Sequence, residues 1–321
     1  MVNTKYNNIF TNIFLFTFSI ILGITACEIL GRVMGLGDPV LYYADSLIGY
    51  RLKPNQKVKR FKNSYITVNN EGFRVASLKN KNSSVKNVVF VGDSVTYGGS
   101  YINDNDLFSE LFCESSIEDD YCLNGAINSW GLQNMGRFIS NFNIYSKLKP
   151  NKFILVILPG DEYRNLRSFS DTPYWSNKPK NPKAINEILR FIILKHINPK
   201  LESKGTQQKE IVKVSIEKIN QLQKKIAWQE LQMQLKNSKY PVDIVITPPK
   251  RWFTENENYK KEIKTYDNFL KSVSNLKNVI NTCNLYYQLE KDYESSFYVD
   301  GVHLSNEGHE AWANKINFCL G

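Results

Sequence analysis

The chain has 321 residues, 42% of them hydrophobic, with a formal net charge of +10 and a pI near 9.1. Such a composition excludes wholesale disorder and suits one main domain with an attached segment. The positive excess favours anionic partners, yet no zinc-spaced Cys/His pairs and no RNP-like aromatic motif are present, so no nucleic-acid module is expected; the scattered lysines read as a solvated surface suited to an anionic membrane or glycan.

The first element is the uncharged run Ile9 to Cys27, IFTNIFLFTFSIILGITAC. At about 1.5 Å per residue a helix of this length reaches roughly the thickness of a hydrocarbon core. Lys5 precedes it, and Glu28 and Arg32 follow. That bias favours the N-terminus inside and the rest outside. A buried helix or a cleaved signal is the alternative, and Ile24-Thr25-Ala26-Cys27 resembles a bacterial lipobox. We read the run as an uncleaved anchor over residues 1–34. Of five cysteines, Cys113, Cys122, Cys283 and Cys319 lie beyond it. They are expected either as two disulfides, Cys113–Cys122 and Cys283–Cys319, or as four buried thiols. Their spacing suggests no metal site.

Residues 35–86 read as a small β-rich segment ending in a linker, Lys79 to Lys86. Within it Ser64 to Val68 alternates like a strand, and Asn69-Asn70-Glu71-Gly72 is turn-like. The main domain, 87–321, then alternates. Strands are predicted over Asn87–Val91, Tyr121–Asn124, Lys152–Leu158, Pro241–Thr247 and Asn278–Cys283. Helices are predicted over Asp106–Cys113, Leu132–Tyr145, Ala184–His196, Glu210–Lys236, Tyr259–Leu276 and Asn306–Phe318. Continuous apolar strands alternating with helices imply a parallel sheet covered on both sides, an α/β three-layer sandwich. An insertion at about 162–239 is longer than one crossover needs and is the natural source of specificity.

Two short segments carry the chemistry. Ser94 directly follows a buried strand in Val91-Gly92-Asp93-Ser94-Val95-Thr96-Tyr97-Gly98. A serine on a strand-to-helix turn is raised above the sheet edge, with its N–H among the free donors of a helix start. Near the other end, Asp300-Gly301-Val302-His303 precedes the last helix. A serine nucleophile needs a base, and that imidazole needs a carboxylate to hold its tautomer. Of three histidines, His196 ends a predicted helix and His309 lies within the last one, leaving His303 as the base. Each segment alone is equally an ordinary helix cap or a loop histidine bonded to backbone.

Together, Gly92-Asp93-Ser94 and Asp300-Gly301-Val302-His303 resemble the first and last blocks of the GDSL/SGNH hydrolase superfamily. Ile48-Gly49-Tyr50-Arg51-Leu52-Lys53-Pro54 and Asn70-Glu71-Gly72-Phe73-Arg74 are similar to the lead-in of its membrane-anchored members. The resemblance implies a parallel five-stranded, flavodoxin-like sheet, a Ser94–His303–Asp300 triad and no cofactor. It also places the N–H groups of Ser94 and Ser129 at the oxyanion. Ser129 stands where the family's second block has glycine, and Asp161 where its third block has a donating asparagine. An ionised Asp161 cannot donate, and loss of one oxyanion donor costs about 10²–10³ in turnover; Asp161 can instead bind a substrate hydroxyl or Arg164. Tyr163, Arg164 and Trp175, at the start of the insertion, are the candidate substrate contacts, and Arg167 suits acidic groups. The implied function is an acyl-ester hydrolase or O-acyltransferase acting on a surface carbohydrate outside the membrane. The alternative is a non-catalytic glycan-binding or assembly protein that keeps the fold.

Overall fold

Five strands organise the molecule, the middle three being buried runs rich in β-branched residues. The computed structural model describes residues 2–76, 86–115, 120–172, 174–178, 183–193 and 209–321. All of the predicted linker except Lys86, and with it His196, lie outside the described residues. The central strands are β5 (Lys86–Val91), β6 (Asp120–Asn124), β7 (Lys152–Ile157), β8 (Val242–Ile246) and β9 (Val279–Asn284). They form one parallel sheet in the order β6-β5-β7-β8-β9. Counted from β5 this is 2-1-3-4-5, the flavodoxin-like order, with its switch point between β5 and β7.

Side chains along each strand alternate between two cores. Val89 and Val91 join Phe153, Leu155 and Ile157 on one face. That face is covered by α4 (Leu132–Ser140), α7 (Lys209–Lys236) and α8 (Glu257–Val273). Val88, Phe90, Ile154 and Val156 face the other way, beneath α3 (Phe108–Glu114), α9 (Tyr286–Leu289) and α10 (Asn306–Leu320). Trp312 Nε1 of α10 donates to Thr247 Oγ1 at 2.7 Å, locking the last helix to the end of β8. The helix expected over Leu132–Tyr145 is two, α4 and α5 (Phe142–Tyr145), because Asn141 leaves helical geometry with φ −112° and ψ 20°.

Two antiparallel pairs precede the sheet: β1 (Tyr42–Asp45) with β2 (Gly49–Leu52), and β3 (Gln56–Lys59) with β4 (Tyr65–Val68). Tyr42, Tyr50, Leu52, Ile66, Val68 and Phe73 belong to the same hydrophobic core as β5 and β7. Arg74 then exchanges backbone hydrogen bonds with Asn124 at 2.9 and 3.1 Å. Its side chain is wholly buried. It donates to Asp104 (2.8 Å) and to the carbonyls of Tyr97, Gly99 and Ile102 (2.6–2.8 Å).

The first helix, α1 (Val2–Val33), contains the stretch Phe10–Val33, long and apolar enough to cross a membrane and exposed over most of its length. Its end is joined to α6 (Ala184–Ile192). Glu28 accepts from the N–H groups of Ala184 and Ile185, both at 3.1 Å, and so caps α6 in place of Lys183. Gly31 permits the contact, since a Cβ there would lie 2.6 Å from that of Ala184. The cysteines form two disulfides, Cys113–Cys122 and Cys283–Cys319, and Cys27 is free.

Candidate active site

Ser94 opens α2 (Ser94–Tyr97), the short helix that follows β5 at the switch point. Asp93 caps it, Oδ1 accepting from Val95 N–H at 2.9 Å, and Gly98 ends it in the left-handed region at φ 87°. Gly92 makes the turn possible: a Cβ there would lie 2.2 Å from Thr96 Oγ1 and 2.9 Å from the Val156 carbonyl.

His303 comes from the loop before α10. Val299 N–H bonds to the His303 carbonyl (2.9 Å), Lys250 N–H to that of Gly301 (2.9 Å), and Tyr101 Oη to that of Leu304 (3.0 Å). Ser305 then caps α10, its Oγ accepting from Gly308 N–H at 3.1 Å. This places His303 Nε2 2.9 Å from Ser94 Oγ, and Nδ1 2.7 Å from Asp300 Oδ2. An acceptor at Nδ1 holds the proton there, leaving Nε2 as acceptor for the serine hydroxyl. Asp300 Oδ1 accepts from the N–H groups of Val302 and His303, both at 2.8 Å. Burial raises the Asp300 pKa, but these bonds and His303 outweigh it, and the carboxyl lies below its usual range.

The chain after β6 runs alongside the end of β5. Gly125 N–H bonds to the Phe90 carbonyl (2.8 Å) and Ile127 N–H to that of Gly92 (3.2 Å). Asn128 and Ser129 therefore come beside Asp93 and Ser94. Ser129 adopts φ 67°, a conformation that non-glycine residues enter at a cost. Aromatic residues hold it there. Tyr50 Oη donates to the Asn128 carbonyl (2.6 Å), Asn128 Nδ2 to Tyr42 Oη (3.0 Å), and Ser129 Oγ lies 3.3 Å from Tyr174 Oη. Tyr42 and Tyr174 stack at 4.4 Å, and burial pushes the Tyr174 phenol up to about 12. Among the described residues, neither the Ser94 nor the Ser129 N–H has an acceptor.

Asp161 follows β7 and is fully buried. Its Oδ2 accepts from Leu158 N–H at 3.0 Å, and Oδ1 lies 2.7 Å from Arg164 Nη1. The same Arg164 nitrogen donates to Asp93 Oδ2 and to the Trp130 carbonyl, both at 3.0 Å. Burial first, and then the charge of Asp93, raise the Asp161 pKa well above normal, against the pull of Arg164. Asp161 Oδ2 is thus hydrogen-bonded to the backbone, while Oδ1 is ion-paired with Arg164 without a hydrogen bond. Arg164 Nε and Nη2 have no acceptor among the described residues, and the side chain is 27% exposed.

Of the other candidates, Trp175 and Tyr163 part company. Trp175 lines a cavity together with Ser129, whereas Tyr163 is 40% exposed beneath Lys224 of α7, 5.6 Å from its ring centre. Arg167 enters through its backbone, where its N–H and carbonyl engage the Asn134 side chain at 3.3 and 3.1 Å. Sequence reasoning did not single out Tyr42, Tyr50 and Tyr174. Their signal, aromatics spaced along the lead-in and the insertion, has no local period. Nor does any group of His, Cys, Asp and Glu among the described residues form a metal site.

No protein-family model matches the chain, and no curated protein does. Among solved structures it is similar to an acetylxylan esterase from Geobacillus stearothermophilus, at 12% identity over 74% of this chain and 94% of the other, with a TM-score of 0.44. A member of the lipolytic protein G-D-S-L family from Veillonella parvula is 14% identical over 72% and 95%, with a TM-score of 0.41. An alpha/beta hydrolase enzyme from the metagenome of Lake Arreo, Spain, is 13% identical over 74% and 96%, also with a TM-score of 0.41. At identities this low, what the residues around Ser94 can do follows from their own geometry.

Proposed function

We propose that the chain is a serine-dependent acyl-ester hydrolase or O-acyltransferase held at the outer face of a membrane. The observation that carries this reading is the hydrogen-bonded series Ser94–His303–Asp300, at 2.9 and 2.7 Å. Ser94 Oγ bonds to the carbonyl carbon of an ester as its proton passes to His303 Nε2. The bond to the leaving alcohol then breaks, and that alcohol takes the proton from Nε2. Water or an acceptor hydroxyl next bonds to the carbonyl carbon of acyl-Ser94, giving its proton to His303; the bond from that carbon to Ser94 Oγ breaks, the acid or new ester leaves, and His303 returns the proton to Oγ. Asp300 orients the imidazole and stabilises its charge. In this reading the N–H groups of Ser94 and Ser129, which have no acceptor among the described residues, face the developing oxyanion, and Arg164 supplies the positive potential that Asp161, in place of a donating asparagine, does not.

The alcohol side of the ester is a surface carbohydrate in this reading. Its supports are the resemblance of the lead-in to membrane-anchored members of the superfamily, the exposed Tyr163 close in sequence to Arg164, and Trp175 on the wall of the cavity that Ser129 lines. The apolar helix and the two disulfides support an extracytoplasmic site, since disulfides persist in oxidising compartments. A chromogenic acetate ester tests the chemistry. Ser94→Ala and His303→Ala are each expected to lower turnover by on the order of 10³–10⁶, and a serine-directed phosphonate to label Ser94. Equal rates for both variants and the wild type, with no label at Ser94, favour the non-catalytic glycan-binding reading. Transfer of acetate to an oligosaccharide without release of free acetate separates transferase from hydrolase.

A further inference from the structure

A cavity of about 550 Å³ extends from Asn128 and Ser129 to the foot of α1. This lies within the range of small-molecule sites, roughly 300–1,000 Å³. At its inner end are Asn128 and Ser129, beside the Asp93-Ser94 turn. Val40, Phe61 and Trp175 form its walls. At its far end are Leu36, just beyond α1, and Ile188 and Ile192 of α6. The charged residues on the wall, Arg60 and Glu187, are paired with each other, one contact being 3.2 Å. The remaining wall is therefore largely apolar.

With α1 read as the membrane anchor, the far end lies close to the bilayer surface. Glu28 and Gly31 fasten the last turns of α1 to the first turn of α6. A helix fixed there sits where α1 leaves the hydrocarbon. Leu189 and Ile192 of α6 and Ile193 just after it are 49%, 44% and 45% exposed, an apolar face left open among the described residues. Such a face beside a membrane-spanning helix lies in the interface. Ile192 belongs to both surfaces: it is exposed on α6 and it lines the cavity.

We infer that the cavity is the site of the acyl group, and that this group is a long aliphatic chain drawn from the bilayer rather than acetyl. The inference rests on the reading of Ser94 as nucleophile, because it takes the oxyanion side of Ser129 as the end where the carbonyl lies. An alkyl chain is the occupant that matches a largely apolar cavity bounded by Leu36, Ile188 and Ile192 at the end near α1 and by Ser129 at the other. Burial of each methylene adds about fourfold in binding, equivalent to roughly 0.8 kcal/mol.

The full chain in phospholipid nanodiscs permits two independent measurements. In the first, kcat/KM is compared for p-nitrophenyl acetate and octanoate. The wild type is expected to favour octanoate by at least about tenfold, and Ile192→Trp and Val40→Phe to lower the octanoate-to-acetate ratio by about tenfold. The second needs no turnover: a phosphatidylcholine with a diazirine near the end of one acyl chain is photolysed and the labelled residues are mapped. Labels at Val40 and Trp175 as well as on α1 support the cavity. If they appear while no ester is cleaved, the cavity stands and the reading of Ser94 falls. Labels confined to α1, with acetate and octanoate cleaved equally, overturn the cavity and leave Ser94 as nucleophile.

Discussion

Arg164 Nη1 stands 3.0 Å from Oδ2 of Asp93, the residue immediately before Ser94, and 2.7 Å from Asp161 Oδ1. One guanidinium thus serves two buried carboxylates at the edge of the site. Breaking a buried pair by removing one partner costs about 3–5 kcal/mol. Solvent around the part-exposed arginine brings this toward the lower end. Arg164→Met is therefore expected to lower the urea midpoint. It also leaves unopposed negative charge beside the developing oxyanion, so kcat is expected to fall by on the order of 10²–10³. Arg164→Lys, which keeps a charge but not the fork, should lie between. A variant that is destabilised yet turns over at the wild-type rate would show that the arginine only holds the fold.

Ser129 occupies φ 67°, and an L-residue in left-handed geometry is strained by about 1–2 kcal/mol. Glycine has no such strain and keeps the N–H, though it lowers unfolded-state order. Ser129→Gly is expected to raise stability by up to about 1 kcal/mol and to preserve ester turnover within a few-fold. Thermal melting and initial rates check the two halves separately. Retained stability with turnover lost would assign the work to Ser129 Oγ and its neighbour Tyr174 instead of the backbone.

Legibility in the sequence followed locality. The central strands β5, β7 and β8 were readable because each is a nearly continuous buried run, and that run needs no knowledge of its neighbours; β9, with Ile280 60% exposed, gave a weaker signal. Asp300 and His303 were readable as partners because one turn of chain brings them together. The pairing of Asp161 with Arg164 appeared only as one of two possibilities, since three residues of spacing does not say whether a carboxylate turns toward an arginine or toward substrate. Arg74 was noticed only as part of a lead-in motif; its role of clamping Tyr97, Gly99, Ile102 and Asp104 behind Ser94 depends on a fold that brings distant segments together. The same holds for the cap that Glu28 gives α6. No sequence pattern announces a helix capped by a residue more than 150 positions away.

His309 makes a prediction about pH. Its Nδ1 accepts from Phe108 N–H at 3.0 Å in a fully buried position. Burial first, and then the nearby charge of Arg74, lower its pKa from 6.5 to about 3. Above pH 6.5 the ring is neutral in both folded and unfolded chain, and its full contribution is present. As pH falls below 6.5 the unfolded chain takes up a proton that the fold refuses. Stability then drops by about 1.4 kcal/mol per unit until the folded ring protonates near pH 3. His309→Gln, which can still accept from Phe108, is expected to be less stable at pH 7 but to show a shallower loss down to pH 4. Urea titrations along that series give the slopes, and parallel slopes would remove His309 as the cause.

The two disulfides close loops of different length, with sequence separations of 9 for Cys113–Cys122 and 36 for Cys283–Cys319. Restricting the unfolded chain stabilises by about 2.6 kcal/mol for the shorter loop and about 3.8 kcal/mol for the longer. The longer one also ties β9 to α10, the helix whose first turn follows His303. Replacing both cysteines of that pair with serine is therefore expected to lower the melting temperature more than replacing Cys113 and Cys122, and to reduce turnover as the His303 loop loosens. Differential scanning calorimetry of the two double variants, with ester turnover measured on the same samples, tests this. Equal losses of stability would mean that loop length is not what sets the contribution. Unchanged turnover in Cys283→Ser/Cys319→Ser would mean that the bonds from Lys250, Tyr101 and Val299 hold His303 against Ser94 without help from the disulfide.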